Sequence, residues 1–114
     1  MSLKIGHTQE LSARGYLEQQ GLKLMASNYR CKYGEIDLVM QDNDQWVFVE
    51  VRYRKTESHG SAAATVNRQK QQKIIRSAKH YLIAQNQYDK ISCRFDVVAL
   101  NNSIEWIPNA FLAG

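Results

Sequence analysis

Two runs constrain this chain more than anything else in it: "GEIDLV" at residues 34–39 and "VFVEVRYR" at residues 47–54. Both have the aliphatic and β-branched content of strands in a buried sheet. Yet each carries acid in its middle, Glu35 and Asp37 in the first and Glu50 in the second. A carboxylate in a core-forming strand is costly unless a donor, a cation or a proton compensates it. Any fold for this chain must therefore bring something to these acids.

Side chains alternate along a strand. Glu35 and Asp37 are then expected on one face, with Ile36 and Leu38 on the other. Trp46, Phe48, Glu50 and Arg52 share a face, with Val47, Val49 and Val51 opposite. If "DNDQ" (42–45) closes the hairpin as a four-residue loop, Gln41 pairs with Trp46. Asp37 then falls opposite Glu50, and Glu35 opposite Arg52. Opposed residues on one face have Cβ atoms roughly 5 Å apart. That spacing suits two carboxylates sharing one divalent cation; without a cation they repel and one tends to protonate. A loop with an odd number of residues would put Asp37 and Glu50 on opposite faces. The plain alternative is an edge hairpin whose acids pair with Arg52, Arg54 and Lys55 on a solvated face.

The chain's 114 residues suit a single domain over 1–114, and its 44% apolar content is enough for a packed core. A net charge of +4 is compatible with a polyanionic partner and equally with plain solubility. No apolar run reaches the length of a membrane span, and the N-terminal stretch lacks the apolar core of a signal peptide. Cys31 and Cys93 lie far apart with no metal-site spacing. The expectation is a soluble, cytoplasmic protein with free thiols and no membrane partner.

Helical spacing predicts a first helix over 6–20, with Leu11, Ala13 and Leu17 inward and Gly21 as its stop. Glu10 projects from the same side, either as a further ligand at the sheet or as a rim acid near the helix N-terminus. A strand is expected at 22–26, a turn-rich connection at 27–34, then strands near 35–40 and 46–54. Residues 55–64 show no period and are expected to be mobile; His59 within them is assigned no role. The strongest helix pattern spans 65–86, with Val66, Ile74, Ala78, Tyr81 and Leu82 as its apolar stripe. Residues 91–100 read as a strand, and "SIEWI" as another, ended by Pro108. The fold class is thus α/β, a mixed sheet flanked by helices. The second helix also carries Arg68, Lys73, Arg76, Lys79 and His80, a face that could track a nucleic-acid backbone or simply meet solvent. Tyr29, Tyr33 and Tyr53 could stack on bases or belong to the core and its rim.

"GEIDLV", "VFVEVRYR" and "RFDVV", with "TQELSARGYLEQQGLKLMASNYR" before them and "RQKQQKIIRSAKHYL" after, resemble the YraN family of small bacterial proteins. That family is placed with the PD-(D/E)XK nucleases and is similar in fold to archaeal Holliday-junction resolvases. The resemblance implies a restriction-endonuclease-like domain and a Mg²⁺- or Mn²⁺-dependent endodeoxyribonuclease, acting on branched or otherwise structured DNA. It implies Asp37 and Glu50 as metal ligands, with the Val51 carbonyl as a further oxygen and Glu10 as the helical glutamate of resolvase-like members. Arg52 stands where the superfamily usually has lysine, and Lys70 is a candidate substitute. Arginine stabilises charge but does not act as a base. A binding module of the same fold, without cleavage, is therefore the alternative. Resolvase-like folds often act as dimers, so a homodimer is an expectation of the resemblance; no stretch of the sequence marks an interface.

Overall fold

The computed structural model of the chain describes residues 2–53, 66–87, 92–101 and 103–113, with the backbone alone for residues 2–7. The segment 55–64, with His59, and the cations Arg54 and Lys55 lie outside the described residues. The elements run α1 (Ser2–Gln19), β1 (Lys23–Cys31), β2 (Gly34–Asp42), β3 (Gln45–Tyr53), α2 (Arg68–Ala84), β4 (Cys93–Leu100) and β5 (Ile104–Phe111). Their strands form one five-stranded sheet in chain order. β3 and β4 are parallel, joined through α2, and every other neighbouring pair is antiparallel. The sheet is therefore mixed, as expected. Among the described residues no helix is long and apolar enough to cross a membrane.

The helices cover opposite faces. Ile74, Ala78, Tyr81 and Leu82 of α2 pack with Ile36, Val39, Phe48 and Phe95. Ala13 and Leu17 of α1 pack with Leu38, Met40, Val47, Val49 and Val98. The apolar stripe of α2 is as its periodicity predicts, and β3 alternates as expected, with Phe48 toward α2 and Val47 and Val49 toward α1. Leu11 is a correction: it is 49% exposed, because α1 needs only a narrow strip over the sheet.

Both helices end in the same hydrogen-bonded cap. At α1, Leu22 N–H donates to the Leu17 carbonyl and Gly21 N–H to that of Glu18, with Gly21 at φ +100. This is a Schellman cap, closed by apolar contact of Leu22 with Leu17. At α2, Gln87 and Asn86 make the equivalent bonds to Leu82 and Ile83, with Asn86 at φ 60.

Two expected boundaries are corrected. β1 does not stop at residue 26 but runs to Cys31, so most of 27–34 is strand rather than connection; only Lys32 and Tyr33 turn the chain. Its irregularities hide it from a period-2 reading: the register shifts between Leu24 and Ala26, and Asn28 sits at φ 52. Gly34 closes the turn at φ +148, a conformation that favours glycine. Pro108 does not end β5, which continues to Phe111 past a register shift opposite Phe95/Val97. β5 is an edge strand, where proline's missing N–H costs no ladder bond.

That last shift surrounds a fully buried acid, Asp96 of β4. Its carboxylate accepts from Trp106 Nε1 (2.9 Å), from Asn109 N–H (2.8 Å) and from Arg94 Nε (3.1 Å). Arg94 in turn reaches Asp42 at 3.0 Å and Gln45 at 3.1 Å. The network ties the β2–β3 turn to the β5 edge through β4. Replacing Asp96 with alanine leaves the Arg94 guanidinium, 15% exposed, without its inner counter-charge. Asp96→Ala is expected to cost about 3–5 kcal/mol in urea denaturation, the range for breaking a buried ion pair from one side.

Candidate metal and phosphate site

The hairpin of β2 and β3 keeps the expected register, but its loop is two residues long and not four. Asp42 pairs with Gln45 and Gln41 with Trp46, around a turn at Asn43 and Asp44. The ladder then runs to Leu38↔Val49 and ends. Both strands continue, but only with their outer neighbours. β2 stays paired with β1 down to Gly34↔Cys31, and β3 stays paired with β4 out to Tyr53↔Leu100. The sheet therefore forks between residues 34–37 and 50–53. The acids sit in that fork.

Asp37 is the centre of it. Val51 N–H, which a continued ladder would give to a backbone carbonyl, donates to Asp37 Oδ2 at 2.8 Å. The carboxyls of Glu50 and Glu10 crowd against Asp37, and the Asn28 side chain acts on Glu10. The predicted meeting of Asp37 and Glu50 on adjacent antiparallel strands is thus observed. Glu10 is more than a rim acid: α1 delivers it to the same group.

Two expected placements are corrected. Ile36 and Leu38 do not share a face, since Ile36 packs under α2 and Leu38 under α1. Alternation breaks at Asp37, whose register neighbour in β1 is Asn28, the left-handed residue. Both strands step over together there, and Tyr29 follows Ile36 to the α2 side. Glu35 consequently does not face Arg52. It pairs with Arg30 of β1 at 2.7 Å. Arg52 turns instead to Glu50, with Nε 3.4 Å from Oε2.

The electrostatics follow from burial and crowding. Burial pushes the Glu50 carboxyl up to about 7, aided by the charge of Asp37 and opposed by Lys70 and Arg52. Burial likewise raises Glu10 to about 7, again with Asp37 beside it. Burial raises Asp37 as well, although the Val51 N–H and the Glu50 carboxyl hold it down. Lys70 Nζ lies 3.9 Å from Glu50 Oε2. It stands in the first turn of α2, where its own N–H is capped by Asn67 Oδ1 at 2.8 Å. The cap fixes the turn that presents the ammonium. Arg68, Lys73, Arg76 and Lys79 are all exposed along α2, outside the fork.

The donor set is hard oxygen, the kind that holds Mg²⁺ or Mn²⁺. Among the described residues no three acidic, histidine or cysteine side chains converge on one ion position. Asp37 and Glu50 are the carboxylates that could contact such an ion; Mg²⁺ is usually held by one or two carboxylates and keeps several waters. Val51 contributes its N–H to Asp37 here.

The profile of the Uncharacterised protein family UPF0102 matches residues 9–100. The chain belongs to that family. It is 52% identical over 107 residues to a UPF0102 protein of Saccharophagus degradans, covering 93% of this chain and 91% of that one. A UPF0102 protein of Serratia proteamaculans is 50% identical over 111 residues, 96% and 95% of the two chains. The UPF0102 protein YraN of Salmonella arizonae is 48% identical over 108 residues, 93% of this chain and 82% of its own. The resemblance drawn from "GEIDLV" and "VFVEVRYR" therefore stands. The matched span contains Glu10, Asp37, Glu50, Arg52 and Lys70. Sequence reading missed Asn28 and Asp96; a left-handed asparagine inside a strand leaves no mark on hydrophobic periodicity.

The carboxyl cluster gives stability a pH dependence. Glu50 has a folded value near 7 against 4.5 for the ordinary carboxyl, so the folded state holds the proton more tightly. That contribution is full below about pH 4.5 and is lost as pH rises through about 7. In metal-free buffer the Tm is expected to fall from pH 5 to pH 8. Glu50→Gln keeps a donor to Asp37 without the ionisation, so it should flatten the profile. At pH 8 it should gain about 1–3 kcal/mol over wild type, since each tenfold change in proton affinity is worth roughly 1.4 kcal/mol.

Proposed function

We propose that this protein is a divalent-metal-dependent endonuclease that hydrolyses DNA phosphodiesters. The observation that carries the reading is the fork itself: Asp37 and Glu50 carboxyls in mutual contact, held up in pKa, with two cations beside them. Buried acids that repel one another destabilise the folded state unless something neutralises them, and a bound cation does so at neutral pH. Asp37 and Glu50 would hold it, with Glu10 one hydrogen bond away. When bound, Mg²⁺ or Mn²⁺ supplies a water of lowered pKa and neutralises charge on the phosphate.

The chain's own residues supply the rest. Arg52 and Lys70 approach Glu50 from β3 and α2, so a phosphate at the fork meets a guanidinium and an ammonium. The guanidinium can fork onto two phosphate oxygens and offset the extra negative charge of the transition state. Lys70 is the group able to take the superfamily lysine's part in polarising the attacking water. The exposed Arg68, Lys73, Arg76 and Lys79 carry the helix's positive charge along the path of the nucleic acid.

A second reading has its own observation. Arg52, not lysine, is the cation of β3 at the fork, and arginine does not serve as a base. On that reading the fork binds a phosphate without cleaving beside it.

Millimolar Mn²⁺ should raise the Tm of wild type more than that of Asp37→Asn, by linkage to binding. In the same metal, wild type should nick structured DNA, Arg52→Lys should match or exceed it, and Glu50→Gln should lose at least a hundred-fold. Equal Tm shifts in wild type and Asp37→Asn would place the cation elsewhere. Intact DNA with both wild type and Arg52→Lys, bound tightly, would leave the binding module. Lys73→Ala with Arg76→Ala should lower the slope of log K against log salt by about 2, near 0.9 per phosphate contact.

A further inference from the structure

On the far half of α2 a second site lies apart from the fork. Tyr33, Arg76, Lys79, His80 and Ile83 line a cavity of about 410 Å³, open to solvent. That volume lies within the usual range of small-ligand pockets, roughly 300–1,000 Å³. Its lining divides by chemistry. Arg76 and Lys79 are cationic, Tyr33 and His80 are flat rings, and Ile83 is apolar and 57% exposed. Among the described residues no acid lines it.

The rings are set by the fold. Tyr33 stands in the tight turn between β1 and β2 and meets His80 edge-on, centroids 6.3 Å apart. Tyr29 holds the other side of the imidazole through its hydroxyl on Nδ1. Lys32 places an ammonium 5.2 Å from the Tyr33 ring centroid, adding a cation next to the cavity.

We infer that this cavity receives one unpaired nucleotide of the nucleic acid, its base against Tyr33, His80 and Ile83 and its phosphate at Arg76 and Lys79. A duplex backbone alone would call for cations and not for exposed rings and an aliphatic side chain, because its bases are stacked inside. An unpaired base offers a π-face, and stacking on aromatic side chains binds any base. The placement fits a substrate in which duplex meets single strand. His80 lies ten residues beyond Lys70 on α2, about 15 Å at 1.5 Å per residue. That is about four nucleotide steps at 3.4 Å each. This inference rests on the proposed nucleic-acid reading and narrows its substrate to DNA with unpaired arms.

The test is binding in metal-free buffer, where no cleavage interferes. A blunt duplex is compared with the same duplex ending in two unpaired arms, by fluorescence anisotropy. Wild type should bind the forked DNA about ten-fold more tightly, as expected for a stacked base. Tyr33→Ala should abolish that preference and leave blunt-duplex binding unchanged, while Tyr33→Phe, which keeps the ring, should retain it. No preference in wild type, or an equal loss on both DNAs in Tyr33→Ala, overturns the inference. Failure to cleave in Mn²⁺ leaves the forked-DNA preference intact, so the two readings fail separately. A wild type that binds neither DNA overturns the pocket's assignment and points to an acidic protein ligand in its place.

Discussion

The bond from Val51 N–H to the Asp37 carboxylate decides the geometry of everything near it. In an antiparallel pair, backbone donors normally go to backbone acceptors. Here a side chain takes the donor just where the β2–β3 ladder stops. Each strand keeps its outer partner, so the sheet stays whole at both flanks while its middle opens. The opening gives α1 a route to bring Glu10 in, and α2 a route to bring Lys70. Without it, Asp37 would be one more side chain on a closed sheet face and the two helices would be separated by the sheet they cover.

Among the described residues two acidic centres are buried, and their partners differ in kind. Asp96 has no exposure, yet nitrogen donors surround it: an arginine, an indole and a backbone amide. Its charge is compensated within the fold, and the result is a brace. At the fork Asp37 has a backbone amide, but Glu50, Glu10 and Asp37 crowd one another. Glu50 and Glu10 both crowd Asp37, and burial with its charge pushes their carboxyls up to about 7. Lys70 and Arg52 offset part of the charge on Glu50, and Lys70 part of that on Asp37. A cluster that is compensated by protons can exchange them for a cation. One that is compensated by arginine and indole has nothing to exchange. Burial alone separates neither case; the identity of the donors does.

Much of this was legible in the sequence because it rests on short-range rules. Loop parity between Gln41 and Trp46 set the hairpin, and alternation placed Glu50 with Phe48 toward α2. Helical spacing found Ile74, Ala78, Tyr81 and Leu82. What escaped was each place where the backbone leaves its regular period. Asn28 and Asp37 break alternation together, so counting by twos put Ile36 beside Leu38 and aimed Glu35 at Arg52. Asn109, at φ 54, let β5 run past Pro108, and that same irregularity lies at Asp96. Both acidic centres thus sit at departures from regular pairing. A regular ladder satisfies its own backbone and has no donors to spare for a carboxylate. An irregular one frees an amide, Val51 in one case and Asn109 in the other. The features that defeat pattern reading are therefore the ones that make a buried acid possible.

The two cations at the fork divide unequally, and the division bears on chemistry. Arg52 is carried by β3, two residues from Glu50, so it moves with the sheet. Lys70 is carried by α2, and its turn is fixed by the Asn67 cap rather than by the sheet. Arginine holds its charge at any accessible pH and suits a fixed electrostatic role. Lysine offers a compact ammonium with three donors, presented here by the helix and not by the sheet. In this chain the β3 cation beside Glu50 is an arginine, and the lysine near Glu50 comes from the helix. The two cations that flank Glu50 thus come from two separate elements, which meet where the sheet forks.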